Sequence, residues 1–252
     1  MRLILIRHGQ TPSNVRNLLD TAVPGPGLTE LGHRQASAIP AAVARWDGRQ
    51  PPAAIYVSNQ TRAQQTGAPL AAAAGLELQI RDGLREIDAG DLEMQGDSDS
   101  IGRYLEVVRS WIGGTQQTRI PGAPDTGTQT LARFDVVVRE AEQAVDGGTA
   151  VLVSHGAMIR TWAGCRAGNI DAAQPENYGL SNTGFVVLEG STQVDGSAGR
   201  RNGERTWEII SWQSGPAGGP ELADSTADGP TEDVDGPVDG SANPAQAQGR
   251  HR

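Results

Sequence analysis

Leu3-Ile4-Leu5-Ile6-Arg7-His8-Gly9 and Ala150-Val151-Leu152-Val153-Ser154-His155-Gly156 repeat one pattern, an unbroken apolar run that ends in a histidine and a glycine. The chain has four histidines, and two of them stand at this junction. An apolar run of this kind, without polar alternation, reads as a strand buried on both faces. A glycine straight after it lets the backbone turn sharply and come close to a ligand. If the two strands are parallel neighbours, both imidazoles converge at one carboxyl-end crevice, where open α/β sheets place their ligands. The alternative is a pair of unrelated buried histidines.

Outward from these runs, strand and helix patterns alternate as far as about Trp212. Leu3 to Ile6, Ala53 to Val57, Leu76 to Ile80, Ala150 to Val153 and Phe185 to Leu188 read as strands. Helical patterns cover Thr29 to Arg45, Thr61 to Ala74, Ser98 to Trp111, Leu131 to Val145 and Ala157 to Arg166. Such alternation implies an α/β fold, a three-layer α/β/α sandwich with a mostly parallel central sheet. Phe185 to Leu188 and Thr206 to Trp212 form a C-terminal hairpin around a polar loop, Gly190 to Arg205, which is expected to be mobile.

Composition narrows the function. The 252 residues suffice to bury a substantial core, and a formal charge of -9 argues against nucleic acid as a partner. All 21 basic residues are arginine. Cys165 is the one cysteine, which excludes an internal disulfide and cysteine-based zinc sites and fits a reducing, cytoplasmic setting. No apolar run reaches membrane length, and Leu3 to Ile6 is too short for a signal sequence.

From Ser214 onward glycine, proline, alanine, serine and acids dominate, with seven carboxylates facing only Arg250 and Arg252. The expected organisation is a catalytic domain over 1–213 and a disordered acidic tail over 214–252, because such a segment buries too little apolar surface to offset its ordering entropy.

The chemistry follows from what surrounds the histidines. A neutral imidazole is a competent nucleophile, and Arg7 beside it suits an anionic electrophile, since guanidinium binds phosphate bidentately and stays charged. That points to phosphoryl transfer. Arg62, just after the strand Ala53 to Val57, extends the anion pocket. The leaving group needs a proton, and Leu84-Arg85-Glu86-Ile87-Asp88-Ala89-Gly90 offers two carboxylates in one loop. Glu86 and Asp88 both qualify, and spacing alone does not choose between them.

Arg7-His8-Gly9-Gln10-Thr11 with Asn14 resembles the signature of the histidine phosphatase superfamily, which includes cofactor-dependent phosphoglycerate mutases and many small phosphatases. Leu28 to Gly32 with Gln35-Ala36, Ser58 to Thr66, Leu84 to Gly90, Ser154-His155-Gly156 and Ser181 to Gly184 follow in the family's order. The resemblance covers about residues 1 to 213. It implies that His8 attacks phosphorus and becomes phosphohistidine, while Arg7, Arg62 and His155 hold the phosphoryl oxygens. Asn14, the Gly156 amide and Thr11 are implied as further phosphate contacts, and Glu86 falls on the proton-donor position. No cofactor or metal is implied, since positioned cationic donors supply the stabilisation.

The chain departs from the family after Gly90, where Asp91-Leu92-Glu93-Met94-Gln95-Gly96 replaces the usual aromatic and Glu-Gly. Asp125 stands near a position the family often fills with glutamate. Residues 91–130 are expected to form a lid, with Trp111 either its hydrophobic anchor or a plain core residue. The segment between Glu86 and His155 is poor in cations, having Arg103, Arg109, Arg119, Arg133 and Arg139, which favours a phosphatase over a mutase. A mutase-type phosphotransfer and a non-catalytic phospho-ligand binding module are the alternatives. The expected partner is a small phosphorylated metabolite as substrate, with no nucleic acid and no membrane. A homodimer is the default oligomer.

Overall fold

A computed structural model of the protein describes residues 1–47, 51–170, 178–192 and 206–230. Strands β1 (Arg2–Arg7), β2 (Ala54–Ser58), β3 (Leu78–Arg81), β4 (Thr149–Ser154), β5 (Phe185–Gly190) and β6 (Trp207–Gln213) form one sheet in the order β3-β2-β4-β1-β5-β6. β3, β2, β4 and β1 are mutually parallel, while β5 runs antiparallel to β1 and β6 antiparallel to β5. β1 and β4 are therefore parallel neighbours, with Arg7 opposite Ser154. The register carries His8 and His155 to the same edge.

Side chains on β1 alternate between two cores, as strand geometry requires. Leu3 and Leu5 join Phe134, Trp162 and Trp111, from α4 (Ser98–Ile112), α5 (Gly127–Val145) and α6 (Gly156–Arg166). Ile4 and Ile6 join Ile39 and Leu70, from α2 (Glu30–Asp47) and α3 (Thr61–Ala74). A sheet with both faces covered needs apolar residues in succession, which is the unbroken pattern of β1 and β4. A short helix, α1 (Pro12–Val15), follows the first histidine.

Helix α5 begins at Gly127, four residues before its first large apolar side chain, because Thr126 and Gln129 form a reciprocal capping box. Trp111 is a core residue. Its indole N–H donates to Thr118 Oγ1 at 2.9 Å, and a Cβ at Gly127 would lie 2.5 Å from its ring. Within 91–130, Tyr104 of α4 is fully buried and its hydroxyl donates to the Ile87 carbonyl at 3.1 Å.

Residues 214–230 pack back along the domain, with one 3₁₀ turn at Pro220–Leu222 and with Ala217, Ala227 and Asp228 buried. Ser181 N–H donates to the Ser214 carbonyl at 2.8 Å and Gln35 Nε2 to the Leu222 carbonyl at 2.9 Å. Composition weighs a segment's own apolar side chains, whereas this one is held by donors of the domain reaching its backbone. The rest of the expected tail, 231–252, and most of the loop expected to be mobile, 193–205, lie outside the described residues.

Candidate active site

The carboxyl ends of β1 and β4 bring His8 and His155 together with ring centroids 5.1 Å apart. His8 N–H donates to the Ser154 carbonyl at 3.0 Å, so the chain leaves β1 still tied to β4. Gly9 answers a backbone contact and not a ligand: a Cβ there would lie 2.8 Å from the Gly32 carbonyl oxygen of α2.

His8 Nδ1 is 2.8 Å from the Gly9 carbonyl oxygen. A carbonyl can only accept, so Nδ1 carries the proton and Nε2 presents a lone pair. Burial, reinforced by Arg62 and Arg7, holds the His8 imidazole well below its ordinary pKa, so the ring is neutral and nucleophilic. His155 is fully buried and also held well below its ordinary pKa by burial and by Arg62. Arg62 Nε donates to His155 Nδ1 at 3.3 Å, which leaves Nε2–H facing Ser58 Oγ at 2.9 Å.

Two arginines flank the pair, both nearly buried, at 2% exposure for Arg7 and 3% for Arg62. Arg62 stands in the first turn of α3. Its Nη2 donates to the Asp20 carbonyl at 2.8 Å, and Nη1 is buried without a hydrogen-bond partner, 3.8 Å from an Asp20 carboxylate oxygen. A buried cationic donor left in that state is a site for an incoming anionic oxygen. Arg7 Nη1 donates to the Leu180 carbonyl at 2.5 Å, and Nη2 to the carbonyl of Asp228.

Thr11 and Asn14 cap α1 reciprocally. The Thr11 hydroxyl donates to Asn14 Oδ1 at 3.0 Å and accepts from Asn14 N–H at 3.2 Å. The single Thr11 proton is therefore spent on Asn14, whose amide is oriented by the exchange with its donor end left over.

Glu86 is set at the amino end of α6. Its carboxylate accepts from the N–H groups of Ile87 at 2.8 Å, Met158 at 3.0 Å and Ala157 at 3.3 Å. These bonds favour the anion, yet burial outweighs them and raises the Glu86 pKa. Arg133 of α5 fixes the loop, donating to the carbonyls of Gly83, Arg85 and Glu86 at 2.8, 2.7 and 2.9 Å. Gln60 bridges it to the opposite wall, accepting from Glu86 N–H at 3.0 Å and donating to the Thr21 carbonyl at 2.9 Å. Asp88 instead accepts from Gly90 N–H at 2.8 Å and turns the chain, and Asp125 pairs with Arg85.

Arg7, His8, Thr11, Asn14, Arg62, Glu86 and Gly156 line one small cavity, with Asp20, Thr21, Tyr104 and Pro230 among its other walls. His155 stands behind it, in contact with Arg62. A larger hollow of ≈ 540 Å³ lies between the end of α2 and residues 213–219, but no histidine or carboxylate lines it. Gln60 was legible as part of Ser58 to Thr66, whereas Asp20, Tyr104 and the 228–230 segment went unnoticed in the sequence. None carries a local motif, and only the fold brings them in. Asn182 was legible as part of Ser181 to Gly184, and its side chain donates to the His8 carbonyl at 3.1 Å.

A mostly parallel sheet delivers two neutral histidines between two buried guanidiniums, an arrangement suited to an anion. The chain belongs to the histidine phosphatase superfamily, branch 1, whose family model matches residues 3–195. It is 34% identical over 84% of its length to the PE-PGRS family protein PE_PGRS11 of Mycobacterium tuberculosis, spanning 36% of that longer relative. It is 30% identical to glucosyl-3-phosphoglycerate phosphatase of the same organism, a match covering 75% of this chain and 85% of the relative. The native structure of the mycobacterial enzyme of that name superposes with a TM-score of 0.63, covering 85% of this chain and 99% of that one at 25% identity.

Proposed function

We propose that the protein is a phosphatase that hydrolyses a small phosphomonoester through a phosphohistidine on His8. The observation that carries this is the fixed tautomer of His8, a neutral ring whose Nε2 lone pair stands beside Arg7 and Arg62 in a cavity that Glu86 shares.

In the first half-reaction Nε2 attacks phosphorus and the bond from phosphorus to the ester oxygen breaks. Glu86, its pKa raised by burial, gives its proton to the departing alkoxide. The Gly9 carbonyl, accepting from Nδ1–H, steadies the positive charge that the ring acquires. Arg62 Nη1 and the Asn14 amide meet the phosphoryl oxygens, with Gly156 at the start of α6. His155, behind the cavity, accepts from Arg62 Nε and so orients the guanidinium that meets the phosphate. In the second half-reaction the Glu86 carboxylate takes a proton from water, which attacks phosphorus. The bond from phosphorus to nitrogen breaks, and the lone pair returns to Nε2.

Among the described residues Arg7 and Arg62 are the only cations lining the cavity. A mutase must hold a doubly phosphorylated intermediate, and this wall offers one phosphate its ligands, which supports hydrolysis over phosphotransfer. The relative named for glucosyl-3-phosphoglycerate supports a sugar-phosphate or phosphoglycerate-type monoester as the substrate class.

The test is phosphate release from a panel of metabolite monoesters and a generic aryl phosphate, with and without chelator, beside His8→Ala. Release that survives the chelator and disappears in the variant is expected. Strict dependence on an added divalent ion, or conversion of 3-phosphoglycerate to 2-phosphoglycerate without free phosphate, would overturn the reading.

A further inference from the structure

We propose that residues Asp224–Pro230 are a built-in competitor for the phosphate site, occupying Arg7 until a phosphorylated ligand displaces them. The proposal rests on the phosphate-binding role given to Arg7 above and adds a regulation to it.

The segment reaches the site through its backbone. Arg7 Nη2, a donor suited to a phosphoryl oxygen, gives its hydrogen bond to the Asp228 carbonyl. Its carboxylate is buried and accepts from Asn182 N–H at 3.1 Å, next to the His8 carbonyl that Asn182 also holds. Gly229 follows with φ +97°, so close that a Cβ on it would lie 2.6 Å from Asn14 Nδ2. Pro230 forms a wall of the cavity, and the volume left inside is ≈ 40 Å³. Such a space admits only a few water molecules, each needing roughly 10–15 Å³ on this measure. A phosphoryl group with its ester cannot enter while the segment is in place.

The contacts are of the right strength to be exchanged. A neutral carbonyl on Arg7 is a weaker partner than a phosphate dianion, whose hydrogen bonds to guanidinium are charge-assisted and bidentate. The buried Asp228 carboxylate adds a negative charge beside the site, as a ligand would. Upstream the segment is held by a second polar contact, Gln10 Nε2 to Asp224 Oδ2 at 3.1 Å. Of residues 224–230 only Ala227 and Pro230 bring buried apolar surface. Substrate therefore meets a latch of hydrogen bonds whose contact on Arg7 is one that an anion in the cavity can replace.

Calorimetric titration of inorganic phosphate into the full chain and into Gly229→Val tests this. A β-branched residue neither holds φ +97° nor fits against Asn14, so the variant expels the segment without altering a phosphate ligand. Phosphate should bind about tenfold more tightly to the variant, as expected if the site is open about a tenth of the time in the parent chain. Unchanged or weaker binding would overturn the proposal, the latter because the segment would then be part of the ligand's own wall. Should Gly229→Val fail to fold, hydrogen exchange of the parent chain decides. The Asn182 amide must exchange faster at saturating phosphate, and unaltered protection sinks the idea. Equal binding to both chains removes only the competitor, whereas binding to neither removes the phosphate site and the competitor together.

Discussion

Arg7 is held from two sides by two differently made regions. On one side stands the cradle, with His8, His155 and Arg62 rooted at the end of a buried strand or the first turn of a helix and Glu86 on a loop tied down by Arg133. On the other stands the segment 214–230, with one 3₁₀ turn and few apolar side chains. The cradle is fixed by packing, since moving it means disturbing Leu5, Leu152 or Val153, all of them fully buried. The segment is fixed by hydrogen bonds to groups that a ligand also wants. A hydrogen bond with one ionised partner contributes about 1.5–3 kcal/mol net, so the bond from Arg7 to the Asp228 carbonyl can be surrendered within the binding energy of one phosphate. The comparison teaches that rigidity and exchangeability at one site come from different sources, apolar burial for the first and shared polar partners for the second.

Substitutions in the cradle should therefore act as switches and those in the segment as small adjustments. His8→Ala should reduce phosphate release by about a thousandfold or more, since removing the nucleophile leaves only binding and electrostatic stabilisation. Stopped-time phosphate assays measure it. Glu86→Gln should lower kcat by about 10²–10⁴-fold, the usual worth of a positioned general acid, while phosphate still binds.

The pH profile sharpens the same point. The proposed mechanism needs neutral His8 and protonated Glu86. The depressed His8 pKa moves the acid limb below the ordinary imidazole value, and the raised Glu86 pKa moves the alkaline limb above the ordinary carboxylate value. The optimum of kcat/KM should lie on the acid side of neutrality, and Glu86→Gln should flatten the alkaline limb. An alkaline limb at or below the ordinary carboxylate value would contradict the assignment. Smallest of all, Asp224→Ala should tighten phosphate binding by about twofold with little change in melting temperature, as the loss of one half-exposed polar contact predicts. A collapse of activity in that variant would erase the contrast between the two regions.

How much was legible follows the same division. Strands β1 and β4 announced themselves because burial on both faces demands unbroken apolar runs, and the two histidines came with them. Helix α3 was legible to both ends, with Arg62 placed on it, because Gly75 ends it in a left-handed conformation. The start of α5 was missed because Thr126 and Gln129 signal by hydrogen bonding and not by hydrophobic period. Glu86 and Asp88 were indistinguishable by chemistry until the fold set one at the mouth of α6 and the other on Gly90. Tyr104 and Asp20 reach the cavity only through tertiary placement. The segment at Arg7 was illegible for the reason that makes it exchangeable: its partners lie on the domain, far away in sequence.

The amino end of α6 faces both Glu86 and the proposed phosphate site. Ala157 and Met158 give their N–H groups to Glu86, and Gly156 of the same turn lines the phosphate cavity. Two negative charges cannot share one helix end cheaply, so a phosphate dianion arriving there should press a proton onto Glu86. Substrate capture and arming of the acid then become one thermodynamic event. The protein would draw protons from the buffer as it binds phosphate, with a binding heat that varies with the ionisation enthalpy of the buffer chosen.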